Sequence, residues 1–228
     1  MTASIGKDAH RRLRTAVLIS GRGSNMEALL AAAAPGDYPA EIVLVAANRP
    51  DAAGLATAQA AGIATDFVDH KPFGRDREAF ERALDERLTT HDIELVCLAG
   101  FMRILTPWFV KRWLGRLINI HPSLLPLFPG THTHERALAA GVRLHGCTSH
   151  FVEPEVDAGP IIAQAAVPVL PGDTPDVLAA RVLVQEHLIY PRALALVASG
   201  AVRWREGGAV FAPGADTTPP DTAITVPA

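Results

Sequence analysis

Thr15-Ala-Val-Leu-Ile-Ser20 runs directly into Gly21-Arg-Gly-Ser-Asn25 and then into the helix-forming stretch Met26-Glu-Ala-Leu-Leu-Ala-Ala-Ala-Ala34. The apolar run is continuous rather than alternating, which is typical of a β-strand that is covered on both faces of its sheet. A strand, a glycine-rich turn and a helix in this order form the first half of a βαβ unit. The stretch therefore predicts an α/β protein.

The glycine-rich turn is suited to bind an anion, although an ordinary βα turn would look similar. The N-terminus of the helix presents free backbone N–H groups and the positive end of its dipole. The two glycines allow close approach of the backbone, and Ser24 or Asn25 can cap the helix and donate further hydrogen bonds.

Two better-known phosphate-binding motifs do not fit this turn. A dinucleotide fingerprint needs a third glycine where Met26 stands, and an acidic residue after the second strand, where Asn48 and Arg49 stand. The Gly-Lys-Ser/Thr of a P-loop is also missing. The turn is therefore interpreted as a site for one phosphate monoester rather than for NAD or ATP.

Strands and helices continue to alternate along the chain. After the strand at 15–20 and the helix at 26–34, strands are predicted over 41–47, 63–68, 94–99 and 116–118, and helices over 52–61, 76–90, from 107, over 132–141 and over 175–199. Late strands are predicted over 145–152, in antiparallel orientation, and over 161–169. This order predicts a single α/β domain over residues 15–204, with a mostly parallel, twisted, Rossmann-like sheet and helices on both faces. A basic arm (1–14) and a Pro/Thr-rich tail (205–228) with little order flank it.

Composition excludes several classes of protein. The formal net charge of -3 disfavours general nucleic-acid binding. The sequence has no run of 18 apolar residues, so no membrane span is predicted. The N-terminus has no apolar h-region of a secretory signal. Only Cys97 and Cys147 are present, which excludes a disulfide scaffold or zinc finger and suits a reducing cytoplasm. We therefore expect a cytoplasmic protein.

Polar side chains are concentrated in Asn119-Ile-His-Pro-Ser-Leu-Leu-Pro126, at the end of a predicted strand. An amide at 119 and an imidazole at 121 are two residues apart and so point to the same side of that strand. Pro122 stiffens the exit of the chain. The carboxyl ends of parallel strands meet at one edge of the sheet, so Asn119 and His121 are expected beside the glycine-rich turn and the segment that begins at Gly100.

Metal binding and serine chemistry are both disfavoured. Five histidines lie between positions 121 and 150, but none forms an H-E-x-x-H pattern and no cysteine pair supports them. Ser123 follows a proline and lacks a G-x-S-x-G elbow. What remains is Asn119, His121 and Asp157, the last delivered by the polar turn 153–160. Such a set suits transfer of a small group between two bound substrates, with the histidine relaying a proton, the amide polarising a carbonyl and the carboxylate favouring the charged imidazole.

Four segments together resemble the folate-dependent formyltransferases: Gly-Phe-Met-Arg-Ile-Leu (100–105), Asn-Ile-His-Pro-Ser-Leu-Leu-Pro (119–126), Asp-Ala-Gly-Pro (157–160) and Gln-Glu-His-Leu-Ile-Tyr-Pro (185–191). The resemblance extends from about Thr15 to Arg203 without large gaps. The turn at 20–25 and the segment around Glu186 narrow it to the branch whose formyl acceptor is glycinamide ribonucleotide. It implies transfer of the formyl group of 10-formyltetrahydrofolate, as co-substrate, to the amine of 5'-phosphoribosylglycinamide in purine biosynthesis.

The resemblance also implies which residues form the site. Those implied to bind the ribonucleotide are Gly23, Ser24, Asn25, Met26, Glu27 and Glu186. Those implied to bind the folate are Arg77, Met102, Arg103, Ile104, Leu105 and Asn119, with the pteridine in the slot 102–105 and its glutamate carboxylate at Arg77. Asn119, His121 and Asp157 are the implied catalytic residues. No metal is expected, the partners are the two small-molecule substrates with no nucleic acid or membrane, and the protein is expected to be a monomer or homodimer.

Three alternatives stay open. A formyltetrahydrofolate hydrolase would use the same trio with water as acceptor, but is expected to carry an N-terminal regulatory domain, for which the residues before the first strand leave no room. A methionyl-tRNA formyltransferase is expected to have a C-terminal β-barrel, for which the tail is too short. A non-catalytic module that binds a nucleotide phosphate is the most distant alternative, and it would leave the trio without a role.

Overall fold

The fold was analysed in a computed structural model, which describes residues 11–215. The strands are β1 (Leu13–Ile19), β2 (Ala40–Ala47), β3 (Ala64–Phe67), β4 (Leu95–Leu98), β5 (Leu117–His121), β6 (Leu144–Phe151), β7 (Ile161–Pro168), β8 (Val202–Arg205) and β9 (Gly208–Phe211). The helices are α1 (Ser24–Ala33), α2 (Ala53–Ala60), α3 (Arg77–Thr90), α4 (Pro107–Arg112), α5 (Thr133–Ala139) and α6 (Pro175–Ala198). A single 3-10 turn, Lys71–Phe73, precedes α3.

Seven strands form one mixed sheet in the order β3-β2-β1-β4-β5-β6-β7. The first five in this order are parallel, whereas β6 runs antiparallel to both β5 and β7. The predicted fold class is confirmed, including the antiparallel orientation of the strand at 145–152. Two helices begin with a side-chain cap: Asp76 accepts a hydrogen bond from the backbone N–H of Ala79, and Thr174 accepts one from that of Val177.

The predicted domain boundaries differ from the observed elements at both ends. Strand β1 begins at Leu13, inside the segment assigned to the basic arm. Residues 205–211, assigned to the tail, belong to the antiparallel hairpin β8–β9, where Trp204 Nε1 donates a 2.8 Å hydrogen bond to Glu153. The strands of this hairpin are too short to show a periodic pattern in the sequence, and the hydrogen bond from the Trp204 indole that holds them leaves no pattern there either. The rest of the arm (1–10) and of the tail (216–228) lies outside the described residues.

Both faces of the sheet are buried, as the continuous apolar run of β1 predicts. Val17 and Ile19 belong to the core layer under α1, α2, α5 and α6, whereas Ala16 and Leu18 belong to the layer under α3 and α4. Alternate residues of one strand therefore reach two separate cores. No helix within residues 11–215 is both long enough and apolar enough to cross a membrane.

The order of the strands places a crevice above β1 and β4. The chain leaves β1 toward the helices of one face and leaves β4 toward those of the other, so their outgoing loops diverge at this switch point. Helix α6 is fixed near it by Tyr190, which is fully buried and whose hydroxyl lies 2.9 Å from the carbonyl oxygen of Leu98 and 3.2 Å from that of Ile118. Glu186 lies one turn earlier on the same helix and so faces the carboxyl edge of the sheet.

Candidate active site

His121 ends β5, and both nitrogens of its buried ring face acceptor oxygens. Its Nδ1 lies 3.4 Å from Oδ2 of Asp157, and its Nε2 lies 3.1 Å from the carbonyl oxygen of Phe128. Phe128 has a left-handed backbone conformation (φ 54°), which turns this carbonyl toward the ring. Each nitrogen of the ring therefore has an acceptor oxygen within reach, so the ring is placed to donate on either side.

Asp157 is held in place by its own loop. Its Oδ2 accepts a 2.7 Å hydrogen bond from the backbone N–H of Gly130, and its φ of 55° is one that Asp adopts more readily than most residues. Gly159 lies so close to β6 that a Cβ there would be 1.9 Å from the carbonyl oxygen of Phe151. The loop 153–160 is therefore pinned at both sides of the carboxylate. The predicted convergence of Asp157 on His121 is present in the structure.

Asn119 contacts a residue that the sequence analysis did not assign to the site. Its Nδ2 lies 3.2 Å from Nε2 of His150, which is paired with it across β5 and β6. The Nδ1 of His150 donates to the carbonyl oxygen of Phe151 at 2.8 Å, so Nε2 carries the free lone pair and accepts from the Asn119 amide. Burial lowers the pKa of His150 and keeps the ring neutral, as an acceptor must be. Its Nε2 is also 3.9 Å from Oδ1 of Asp157.

Sequence reasoning considered His150 only as one of five histidines for a metal site. The signal that could have found it was the predicted antiparallel strand over 145–152, because a strand that pairs with 119–121 must bring one of its residues opposite Asn119. Within residues 11–215 no group of three or more His, Cys, Asp and Glu side chains is placed to hold a metal ion.

The N-terminus of α1 leaves its first backbone N–H groups available. Gly23 is the N-cap in a left-handed conformation (φ 79°), and no side chain caps the helix. The capping predicted for Ser24 or Asn25 is therefore wrong. Met26 is fully buried, so only its backbone can meet a ligand. The backbone N–H of Glu27 already donates to the carbonyl oxygen of Gly23, so only the exposed side chain of Glu27 is available to a ligand.

Asn25 turns instead toward α6. Its Nδ2 donates a 2.6 Å hydrogen bond to Oε2 of Glu186, while its own Oδ1 is buried without a partner among the described residues. Glu186 is itself buried, and this burial raises the pKa of its carboxyl group. The structure thus joins two residues, 161 positions apart, that the resemblance assigned to one substrate.

The segment 102–105 alternates between exposed and packed side chains. Met102 and Ile104 are 79% and 64% exposed, whereas Leu105 packs against the core under α3 and α4. The Arg103 guanidinium lies over the ring of Phe80, 4.7 Å from its centroid. Arg77, at the start of α3, donates to the carbonyl oxygen of Ile104 at 3.4 Å. Two large apolar groups are therefore presented to solvent beside two guanidinium groups, an arrangement suited to a flat apolar ligand with an anionic end.

Two of the three groups of predicted residues are joined by a hydrogen bond, whereas the third group is bonded to neither of them. The backbone N–H of Met102 donates to Ser20 Oγ at 2.8 Å and so joins the glycine-rich turn to the segment 102–105. No side-chain hydrogen bond among residues 11–215 connects the trio of Asn119, His121 and Asp157 to either of these. The space between them is where two substrates would have to meet.

The chain is similar to known proteins in both sequence and fold. A family model described as formyl transferase matches residues 13–194. The chain is 47% identical over 193 residues to the phosphoribosylglycinamide formyltransferase of Escherichia coli (strain K12), covering 85% of this chain and 91% of that protein. It is 52% identical over 205 residues to the trifunctional purine biosynthetic protein adenosine-3 of Gallus gallus, covering 90% of this chain but only 20% of that much longer protein. Our chain thus spans about a fifth of the length of these trifunctional relatives.

A solved structure, the phosphoribosylglycinamide formyltransferase of Coxiella burnetii, superposes with a TM-score of 0.83 at 44% identity, covering 88% of this chain and 94% of that one. The folds therefore agree over nearly the whole of both proteins. Because the family model spans most of the chain and these relatives match it almost from end to end, the chain belongs to the formyl transferase family, in its phosphoribosylglycinamide formyltransferase branch.

Proposed function

We propose that the protein transfers the formyl group of 10-formyltetrahydrofolate to the amine of 5'-phosphoribosylglycinamide, giving the N-formyl product and tetrahydrofolate, in de novo purine biosynthesis in the cytoplasm. The observation that carries this proposal is the contact between the buried ring of His121 and the carboxylate of Asp157, with Asn119 two residues away on the same strand. These side chains supply a proton and hydrogen-bond donors but no nucleophile, which suits direct transfer between two bound molecules.

The acceptor is proposed to bind between α1 and α6. Its phosphate lies on the free backbone N–H groups of Ser24, Asn25 and Met26, where the helix dipole adds to the attraction. Its ribose or glycinamide portion meets Glu186, whose carboxylate accepts from hydroxyl or amide groups. The unpartnered Oδ1 of Asn25 offers a further acceptor at the same place.

The donor is proposed to bind on the other side of the trio. Its pteridine packs against the slot 102–105. The exposed apolar side chains of Met102 and Ile104 support this placement. Its glutamate carboxylate pairs with Arg77 and Arg103. Asn119 closes the site toward the formyl group.

The reaction begins when the glycinamide amine attacks the formyl carbon and a tetrahedral intermediate forms. The oxyanion is stabilised by the His121 imidazolium and by the second N–H of the Asn119 amide, since the first is directed to His150. The 3.4 Å separation of His121 Nδ1 from Asp157 is longer than a typical N–H···O hydrogen bond, so a small rotation of the whole ring directs the Nδ1–H to the oxyanion, while the carboxylate stays close enough to stabilise positive charge on the ring. A proton then passes from the attacking amine to the folate nitrogen, the bond between the formyl carbon and that nitrogen breaks as the carbonyl reforms, and tetrahydrofolate leaves.

The test is whether purified protein consumes 10-formyltetrahydrofolate only when 5'-phosphoribosylglycinamide is present. We expect acceptor-dependent consumption that His121→Ala nearly abolishes, while calorimetry still detects binding of both substrates. Consumption without acceptor would instead indicate a formyltetrahydrofolate hydrolase. An Ala variant as active as the wild type would show that the trio has a different role.

A further inference from the structure

Glu81 is a buried carboxylate that belongs neither to the catalytic trio nor to either proposed substrate site. It lies on α3 and is only 1% exposed. Burial raises the pKa of its carboxyl group, because water no longer stabilises the negative charge. A buried carboxylate adds little stability over an apolar side chain of similar volume. The reason for a carboxylate at this position is therefore sought in the residue that it contacts.

Both oxygens of Glu81 accept hydrogen bonds from one residue, Thr106. The backbone N–H of Thr106 donates to Oε1 at 2.7 Å, and the Thr106 hydroxyl donates to Oε2. Thr106 directly follows the slot 102–105 and is the N-cap residue of α4, although its side chain makes no capping hydrogen bond. The carboxylate therefore fixes the point at which the chain leaves the slot and enters a helix.

The slot has no regular secondary structure to hold it. Residues 101–106 belong to no strand or helix, and 101–105 make no backbone–backbone hydrogen bond with any other part of 11–215. At the beginning of the slot, the backbone N–H of Met102 donates to Ser20 Oγ at 2.8 Å. At its end, Thr106 is bound to Glu81. The exposed side chains between these two anchors keep their orientation only while both anchors are in place.

The first two turns of α3 contact the slot at three successive points. Arg77 donates to the carbonyl oxygen of Ile104 at 3.4 Å, and the Arg103 guanidinium lies over the ring of Phe80. Glu81 follows on the same helix and makes the third contact. The two guanidinium groups are proposed to pair with the carboxylate of the donor, so the ligand competes for their contacts. The bonds of Glu81 are buried and stay in place when the ligand binds.

We propose that Glu81 is a positioning residue for the folate donor, because by holding Thr106 it keeps the slot 102–105 in the shape that receives the pteridine. The inference rests on the proposed function, which assigns this slot to the donor. Glu81 touches neither substrate and acts through its hydrogen bonds rather than its charge. Loss of its negative charge near Arg77 and Arg103 would by itself strengthen the binding of an anionic donor, whereas loss of its hydrogen bonds should weaken it.

The experiment compares Glu81→Met with Glu81→Gln. Met is similar in length to Glu but is only a weak acceptor, whereas Gln can accept from the backbone N–H of Thr106 and donate to its hydroxyl oxygen. Calorimetry measures the Kd for tetrahydrofolate, and steady-state assays measure the KM for each substrate. Glu81→Met should raise the Kd for tetrahydrofolate and the donor KM roughly tenfold, because two buried donors lose their acceptors and the slot shifts. In Glu81→Gln both values should stay within about twofold of the wild type, and the acceptor KM should not change in either variant.

Asp85→Leu is the matched control. Asp85 lies one turn after Glu81 on α3 and accepts a 2.8 Å hydrogen bond from Trp113 Nε1, so this variant also leaves a donor without its acceptor. It should lower the Tm but leave the Kd for tetrahydrofolate unchanged. Thr106→Val removes only the hydroxyl donor and should raise this Kd roughly threefold, whereas Thr106→Ser should not change it. If Glu81→Met does not fold, the comparison of these two Thr106 variants decides.

A wild-type Kd in Glu81→Met, or an equal rise in Glu81→Met and Glu81→Gln, would overturn the proposal. So would a rise in Asp85→Leu as large as that in Glu81→Met, because loss of stability would then account for both. A wild type that does not bind tetrahydrofolate would remove the donor site and this inference with it. A wild type that binds tetrahydrofolate but transfers no formyl group would refute the proposed function, while the Kd values would still establish or overturn the role of Glu81.

Discussion

Replacing Asp157 by Asn tests the electrostatic part of the mechanism while preserving shape. Asn tolerates the left-handed backbone at this position, and its side-chain oxygen can still accept from the N–H of Gly130. What is lost is one negative charge 3.4 Å from His121, at a side chain only 11% exposed. At an effective dielectric constant of about 20, such a pair is worth about 5 kcal/mol. If most of this is realised in the transition state, kcat should fall by roughly three orders of magnitude.

The assay is steady-state donor consumption with each substrate varied in turn. We expect the loss in kcat, with both KM values within about threefold of the wild type, because the carboxylate acts on the charge that develops during reaction. Asp173→Asn is the matched control: it also removes an ion-paired carboxylate, next to Arg181, and should lower stability without lowering kcat. A loss in kcat below tenfold for Asp157→Asn, or one seen only in KM, would refute the assigned role.

Three further predictions concern buried polar groups. His150→Phe should lower kcat roughly tenfold to a hundredfold, because the Asn119 amide loses its acceptor. The side chain of His150→Gln can still accept a hydrogen bond, so its kcat should fall less. Equal losses of kcat in the two variants would contradict this reasoning. Glu186→Gln should raise the acceptor KM roughly tenfold. Because burial raises the pKa of Glu186, the folded protein loses stability as pH rises through that pKa, so Gln should raise the Tm at pH 8 but not at pH 4; a uniform change at both would refute the cause. Burial lowers the pKa of His145 from 6.5 to about 4, so as the pH falls the unfolded chain takes up the proton first. The free energy of unfolding should therefore decrease by up to about 3 kcal/mol between pH 6.5 and pH 4. Urea unfolding should show a weaker dependence of this free energy on pH in His145→Phe, and an identical dependence in both proteins would count against the cause.

The elements with strong periodicity were predictable because local rules decide them. The helix over 77–90 has its Asp76 cap and a regular apolar face, and the buried strand at 13–19 has no polar residue between Ala16 and Ile19. The hairpin β8–β9 was assigned to the tail, because its four-residue strands are stabilised by Trp204 and its distant partner Glu153 rather than by their own pattern. Turn chemistry also misled: Gly23 caps α1 because Asn25 is bound to Glu186 instead.

The site divides in the same way. The motifs themselves named Asn119, His121 and Asp157, because the residue types that proton relay and oxyanion stabilisation require are few and their order along the chain can be recognised. The contact of His150 with Asn119 depends on the pairing of two antiparallel strands, which exists only when the sheet has formed.

By itself, the order of residues determined the alternation of strands and helices and predicted the glycine-rich turn as a phosphate site and Asn119, His121 and Asp157 as catalytic residues, since short local motifs carry each of these predictions. The tertiary structure alone decided which groups share a surface, namely the contact of Asn25 with Glu186 and the buried acceptor behind Asn119. The physical reason is that desolvation and hydrogen-bond satisfaction depend on distances across the whole fold, which no local pattern encodes.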